Sequence, residues 1–134
     1  MALLGYSLWP ENERHPVAWG DLTARAGPLT ITRETRRVFR ERRHFVDYVL
    51  AVGGRPPDVD FESRQVLIVS PGPRSSTGYA VEILAVVERG GTIEVAVHER
   101  TPTLETAIEP RVTFPYRLVS LPAGKSVTVD WRGR

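Results

Sequence analysis

The chain has no cysteine, which removes disulfides, thiolate nucleophiles, iron-sulfur clusters and cysteine zinc sites together and leaves packing alone to hold the fold. Lysine is almost missing: Lys125 stands against 17 arginines, a bias that a GC-rich coding genome would produce by itself. Long apolar runs are absent too. No stretch approaches the roughly 18 consecutive apolar residues of a membrane-spanning helix, so no membrane span is expected. Residues 1–10 carry no basic n-region, sustained apolar stretch or small-residue cleavage site, and so do not read as a signal peptide. The chain as it stands reads as cytoplasmic, or as extracytoplasmic if a leader has been lost from it.

Catalytic signatures are equally scarce. The three histidines, His15, His44 and His98, show no metal-ligand spacing, and His98 on the polar face of a strand reads as solvated. Ser75-Ser76-Thr77 supplies hydroxyls, but no base, nucleophile elbow, phosphate-cradling glycine loop or zinc-binding helix motif accompanies them. The expectation is therefore a domain without catalytic residues, metal or cofactor, whose function is binding.

What is present suffices for one domain: 134 residues, 41% hydrophobic, with a formal net charge of only +2. Trp9-Pro10, Pro16, Trp19-Gly20 and Gly27-Pro28 interrupt residues 1–28, which read as an irregular arm with room for one short strand, packing Trp9 and Trp19 onto a β-rich domain at 29–134. Residues 29–32 alternate like a half-buried strand, with β structure continuing to Phe39. Within residues 41–52, Phe45, Val46, Val49 and Leu50 fall at helical spacing, and Gly53-Gly54 and Pro56-Pro57 stop the helix.

Beyond Pro57 the pattern is β throughout. Residues 66–69 form a continuous apolar strand, and Tyr79, Val81, Ile83 and Ala85 share one face of the next. A hairpin turn at residues 89–92 leads to a return strand with Ile93, Val95 and Val97 on its buried face. Further strands are expected at 111–114, 116–121 and 127–131. Closely spaced strands without intervening helices predict a mainly β (α+β) fold, an antiparallel β-sandwich or open barrel with one α-helix near 41–52.

Two segments stand out. Arg33, Arg36, Arg37, Arg40, Arg42 and Arg43 form a basic run relieved by Glu34 and Glu41, readable as a patch for nucleic acid or another anionic surface or as solvated arginines on a strand and a helix end. The loop at 71–79 is shaped by Pro71 and Pro73, Gly72 and Gly78, and three hydroxyl residues, and it opens a strand, the position where binding loops are commonly carried. Its candidate partner-contacting residues are Arg74, Ser75, Ser76, Thr77, Gly78 and Tyr79, aided by the loop at 100–110. The bland alternative is an ordinary connection with Tyr79 in the core.

The order Val59-Asp60-Phe61, residues 66–69, Ser76-Thr77-Gly78-Tyr79-Ala80-Val81-Glu82-Ile83, a hairpin, Thr101-Pro102 and Phe114-Pro115-Tyr116-Arg117-Leu118-Val119 resembles the PrcB-like C-terminal domain family over about residues 58–121. That family is named for a non-catalytic subunit of a bacterial secreted protease complex. Its members typically carry Thr-Gly-Gly-Tyr, so Thr77 stands where a glycine is usual. Thr77-Gly78-Tyr79 also resembles one loop of the chagasin-like protease inhibitors, whose other loops have no counterpart here. The resemblance implies a protein partner, a protease accessory or regulatory role, and steric, non-covalent contact through residues 72–79. Against it stand nucleic-acid or anionic-surface binding through Arg33, Arg36, Arg37, Arg40 and Arg43, and a self-associating structural module. The sequence sets no oligomeric state.

Overall fold

In the computed structural model, residues 13–133 are described, so Trp9 and the start of the expected arm lie outside them. Among the described residues eight strands and two helices run in the order β1 (His15–Pro16), β2 (Gly20–Asp21), α1 (Thr23–Ala26), β3 (Thr35–Phe39), α2 (Arg42–Ala51), β4 (Arg64–Ser70), β5 (Ala80–Arg89), β6 (Thr92–Arg100), β7 (Arg117–Pro122) and β8 (Ser126–Arg132). They form two four-stranded sheets, ordered β1-β5-β6-β8 and β2-β7-β4-β3. The sandwich is the observed alternative; neither sheet closes into a barrel.

The second sheet lies between two apolar layers. On one face, Val66 and Ile68 of β4 join Phe39, Leu118, Tyr116 and the α2 residues Phe45 and Val49. On the other, Leu67 and Val69 meet Val81, Val86, Ile93, Val95 and Val97 of the first sheet. β4 is therefore apolar at successive positions because both of its faces are buried, and each such side chain contributes about 1.5 to 3 kcal/mol. Phe39, Phe45 and Tyr48 pack ring against ring, which fixes α2 over the edge of β3.

Several expectations are corrected. Leu29 and Ile31 are buried as their alternation suggests, but the strand begins only at Thr35. The Thr30 amide donates to Val52 O, so this segment is tied to the end of α2 instead of entering a ladder. Leu50 is 59% exposed because the helix buries the narrower Phe45/Val49 stripe, and Trp19 is only partly covered, at 40% exposed. The arm is less irregular than its punctuation suggests, since β1 pairs with β5, β2 pairs with β7, and a second helix, α1, follows.

A register shift between Ile83 and Ala85 reverses the alternation of β5, turning Ala85 outward and burying Val86 in its place. Gly90 and Gly91, with φ of 58° and 81°, allow the tight turn that joins β5 to β6. Among the described residues, pairing is antiparallel except between β6 and β8, which run parallel from Thr92↔Ser126 to His98↔Arg132. The expected strand at 111–114 reduces to one bridge between Arg74 and Thr113.

Candidate partner-contact surface

The loop at 71–79 connects β4 of one sheet to β5 of the other, and it is fastened to the segment at 101–115 along its length. At its start Ser70 Oγ donates to Pro115 O at 2.9 Å and accepts from the Gly72 amide at 3.0 Å. Arg74 and Thr113 exchange backbone hydrogen bonds, both 2.9 Å. Thr113 Oγ1 donates to Ser76 O at 2.9 Å. The Thr77 amide donates to Glu109 O at 3.1 Å, while the Glu109 amide donates to Thr77 Oγ1 at 2.8 Å. Two irregular segments thus satisfy one another's backbone groups and form one surface.

The centre of this arrangement is an ion pair. Glu99 is the last inward position of β6, in phase with Ile93, Val95 and Val97, and its side chain is only 5% exposed. Arg74 reaches it with two parallel bonds, Nε to Oε2 at 2.6 Å and Nη2 to Oε1 at 2.8 Å. That hydrogen bonding to Glu99 holds the guanidinium still more firmly in its charged form. The guanidinium also lies 5.8 Å from the centre of the Tyr79 ring. Gly78 has φ +99°, and a Cβ there would come 3.0 Å from Pro102 Cβ and 3.1 Å from Ile108 Cγ2. Only glycine fits both the backbone angle and the close approach.

This geometry divides the six candidate loop residues. Arg74 is committed to Glu99, Ser76 is buried with its hydroxyl donating to Thr77 O at 3.0 Å, and Thr77 and Gly78 hold the second segment in place. Ser75 faces solvent. Tyr79 is half-buried and lines a shallow cleft of about 250 Å³ with Phe114, Pro115 and Tyr116. The Thr77-Gly78-Tyr79 tripeptide is therefore part of a joined surface, not a free-standing inserted loop.

The residues best placed to meet a partner lie on the second segment. Leu104 is fully exposed, Ile108 is 51% and Val112 59% exposed, three large aliphatics in one stretch otherwise dominated by proline, threonine and charge. Their presence in a loop was a readable signal. So was Glu99, since a carboxylate on the inward phase of a strand demands a partner.

The basic run does not form one continuous face. Arg36 pairs with Glu34 at 3.4 Å and lies 5.4 Å from the Trp131 ring centre, whereas Arg37 lies over Phe39 and Tyr48. Arg42 bonds Asp58 Oδ1 and Val59 O. Arg33 precedes β3, Arg40 lies between β3 and α2, and Arg43 is on α2. Of the histidines, His44 pairs with Glu41 and His98 with Glu82, each at 3.1 Å. Among the described residues no group of three or more potential metal ligands converges.

Residues 65–122 match the family model described as PrcB C-terminal. The match begins after Val59-Asp60-Phe61, runs from β4 to the end of β7, and contains both joined loops and the Arg74–Glu99 pair. The arm, both helices and β8 lie outside it. No curated protein and no solved structure matches the chain.

Proposed function

We propose that the chain is a non-catalytic protein-binding domain, an accessory or regulatory partner of a protease, and that it meets its partner on the joined loops at 71–79 and 101–113. The observation that carries this reading is the Arg74–Glu99 pair, in which the enclosed Glu99 of β6 anchors the loop at 71–79, beside outward-facing Leu104, Ile108 and Val112. A surface ordered before association loses less conformational entropy on binding. Support for a protease partner is the PrcB C-terminal match, which runs from β4 to β7 and includes this surface. Contact would be steric and non-covalent, with Ser75 and the exposed edge of Tyr79 adding polar groups beside the aliphatics.

The test is capture of protease activity from native lysate and culture medium, with the captured enzyme identified by mass spectrometry. The intact domain is compared with Leu104→Asp/Ile108→Asp/Val112→Asp and with Leu84→Asp, an exposed aliphatic on β5 outside the loops. After matched thermal melts, the expected result is a protease retained by the intact domain and by Leu84→Asp but lost with the triple variant. Equal recovery on all three, or no protease on any, would sink the proposal.

A further inference from the structure

One hollow on the described surface belongs to neither loop. It is a groove of about 500 Å³ lined by Arg33, Arg36 and Arg37, by Thr30 and Thr32, and by Tyr48 of α2. That volume is in the range of ligand-binding clefts. One carboxylate, Glu34, is also in the lining, and it pairs with Arg36. Among the described residues, no carboxylate forms an ion pair with Arg33 or Arg37. Arg37 rests instead on aromatic faces, 4.6 Å from the Phe39 centre and 5.5 Å from that of Tyr48. Stacking of this kind steadies the guanidinium plane without neutralising it and leaves its edges free for a carboxylate.

From this geometry we infer that the groove seats an acidic segment of a protein partner, with carboxylates meeting Arg33 and Arg37 and threonine or tyrosine hydroxyls completing the polar contacts. A nucleic-acid strand fits less well, because its affinity grows with the number of phosphates contacted. Here Arg36 and Arg42 are already engaged with carboxylates, and Arg40 and Arg43 are outside the groove. Two available guanidinia suit a short acidic sequence. The groove adjoins the contact surface: the Arg33–Glu34 backbone packs on Gly72, where a Cβ would lie 3.2 Å from Arg33 C. One partner could therefore span both. The inference extends the protein-binding reading, and its test uses residues that the loop test does not.

The probe is a fluorescein-labelled synthetic peptide with a run of glutamates, compared by anisotropy with its glutamine counterpart and with a labelled single-stranded oligonucleotide. The glutamate peptide is expected to bind best and to weaken roughly tenfold in Arg33→Gln/Arg37→Gln. It should be unaffected in Arg40→Gln/Arg43→Gln and in the Leu104/Ile108/Val112 triple variant. Amide shift mapping on the unaltered protein, independent of any variant's folding, should place the peptide at residues 30–37 and Tyr48. No preference over glutamine, equal loss in both arginine pairs, shifts elsewhere, or tighter binding of the oligonucleotide would overturn the inference.

Discussion

Arg74 and Glu99 are joined by two short hydrogen bonds although one belongs to a loop and the other to the interior face of β6. The pair is asymmetric: Glu99 is almost wholly enclosed, while about a quarter of the Arg74 side chain reaches water. Removing the arginine strands a buried carboxylate, whereas removing the carboxylate leaves an arginine that can turn outward. Arg74→Ala is therefore expected to cost about 3 kcal/mol and Glu99→Ala about 1 to 2 kcal/mol. Urea denaturation of both variants and of the double variant checks this. Equal losses, or additive ones, would show that the pair does not organise the loop.

At Gly78 the prediction concerns both folding and surface shape. Alanine there must hold φ near +99° and displace Pro102 and Ile108 by a few tenths of an ångström. The combined strain is expected to cost about 1 to 3 kcal/mol. Amide exchange at Thr77 and Glu109, which bond each other across the two loops, should accelerate more than exchange in β4. Uniform acceleration throughout the domain would mean that the loops open only with the whole fold.

The sandwich was readable where local pattern and burial agree. The apolar run at 66–69 announced a strand covered on both faces, and Phe45 and Val49 announced the helix that covers one of them. Alternation misled at Ala85, because a bulge is a two-strand property that adds a residue without marking the sequence. The parallel β6–β8 pair was hidden for a related reason: it depends on the chain changing sheets after the turn at 123–125, while period-two pattern gives a face but not a neighbour.

The candidate contact surface was half readable. Pro71, Gly72, Pro73 and Gly78 correctly suggested a shaped loop, but the residues that shape it are separated by 25 or more positions from those they hold. Ser76 and Thr77 resemble presented hydroxyls in sequence and are fastening groups in the fold. The basic run divides for a comparable reason. Arg36 and Arg37 are adjacent in β3, so their side chains leave opposite faces, one toward Trp131 and the other over Tyr48.

Tyr116 supplies a prediction about alkaline stability. Its ring is in the core between α1 and β7, and its one hydroxyl proton is shared between Thr23 O and Gly27 O, carbonyls that a phenolate would repel. Burial first, then the nearby Asp21 charge, pushes its pKa up to about 12, with Arg117 opposing. An unfolded tyrosine ionises near about 10. Because the folded value is the higher, this stabilisation is fully present below about pH 10 and is lost as pH rises through the folded value, at up to about 1.4 kcal/mol per pH unit. Tyr48 is also raised by burial, so the wild-type profile alone does not isolate Tyr116. The difference between wild type and Tyr116→Phe does. Phenylalanine should cost about 1 to 2 kcal/mol near neutrality through the lost hydrogen bonds, and that gap should narrow as pH rises from about 10 to about 12. Urea denaturation across that interval decides it, since a constant gap would mean that Tyr116 ionises alike in the folded and unfolded chain.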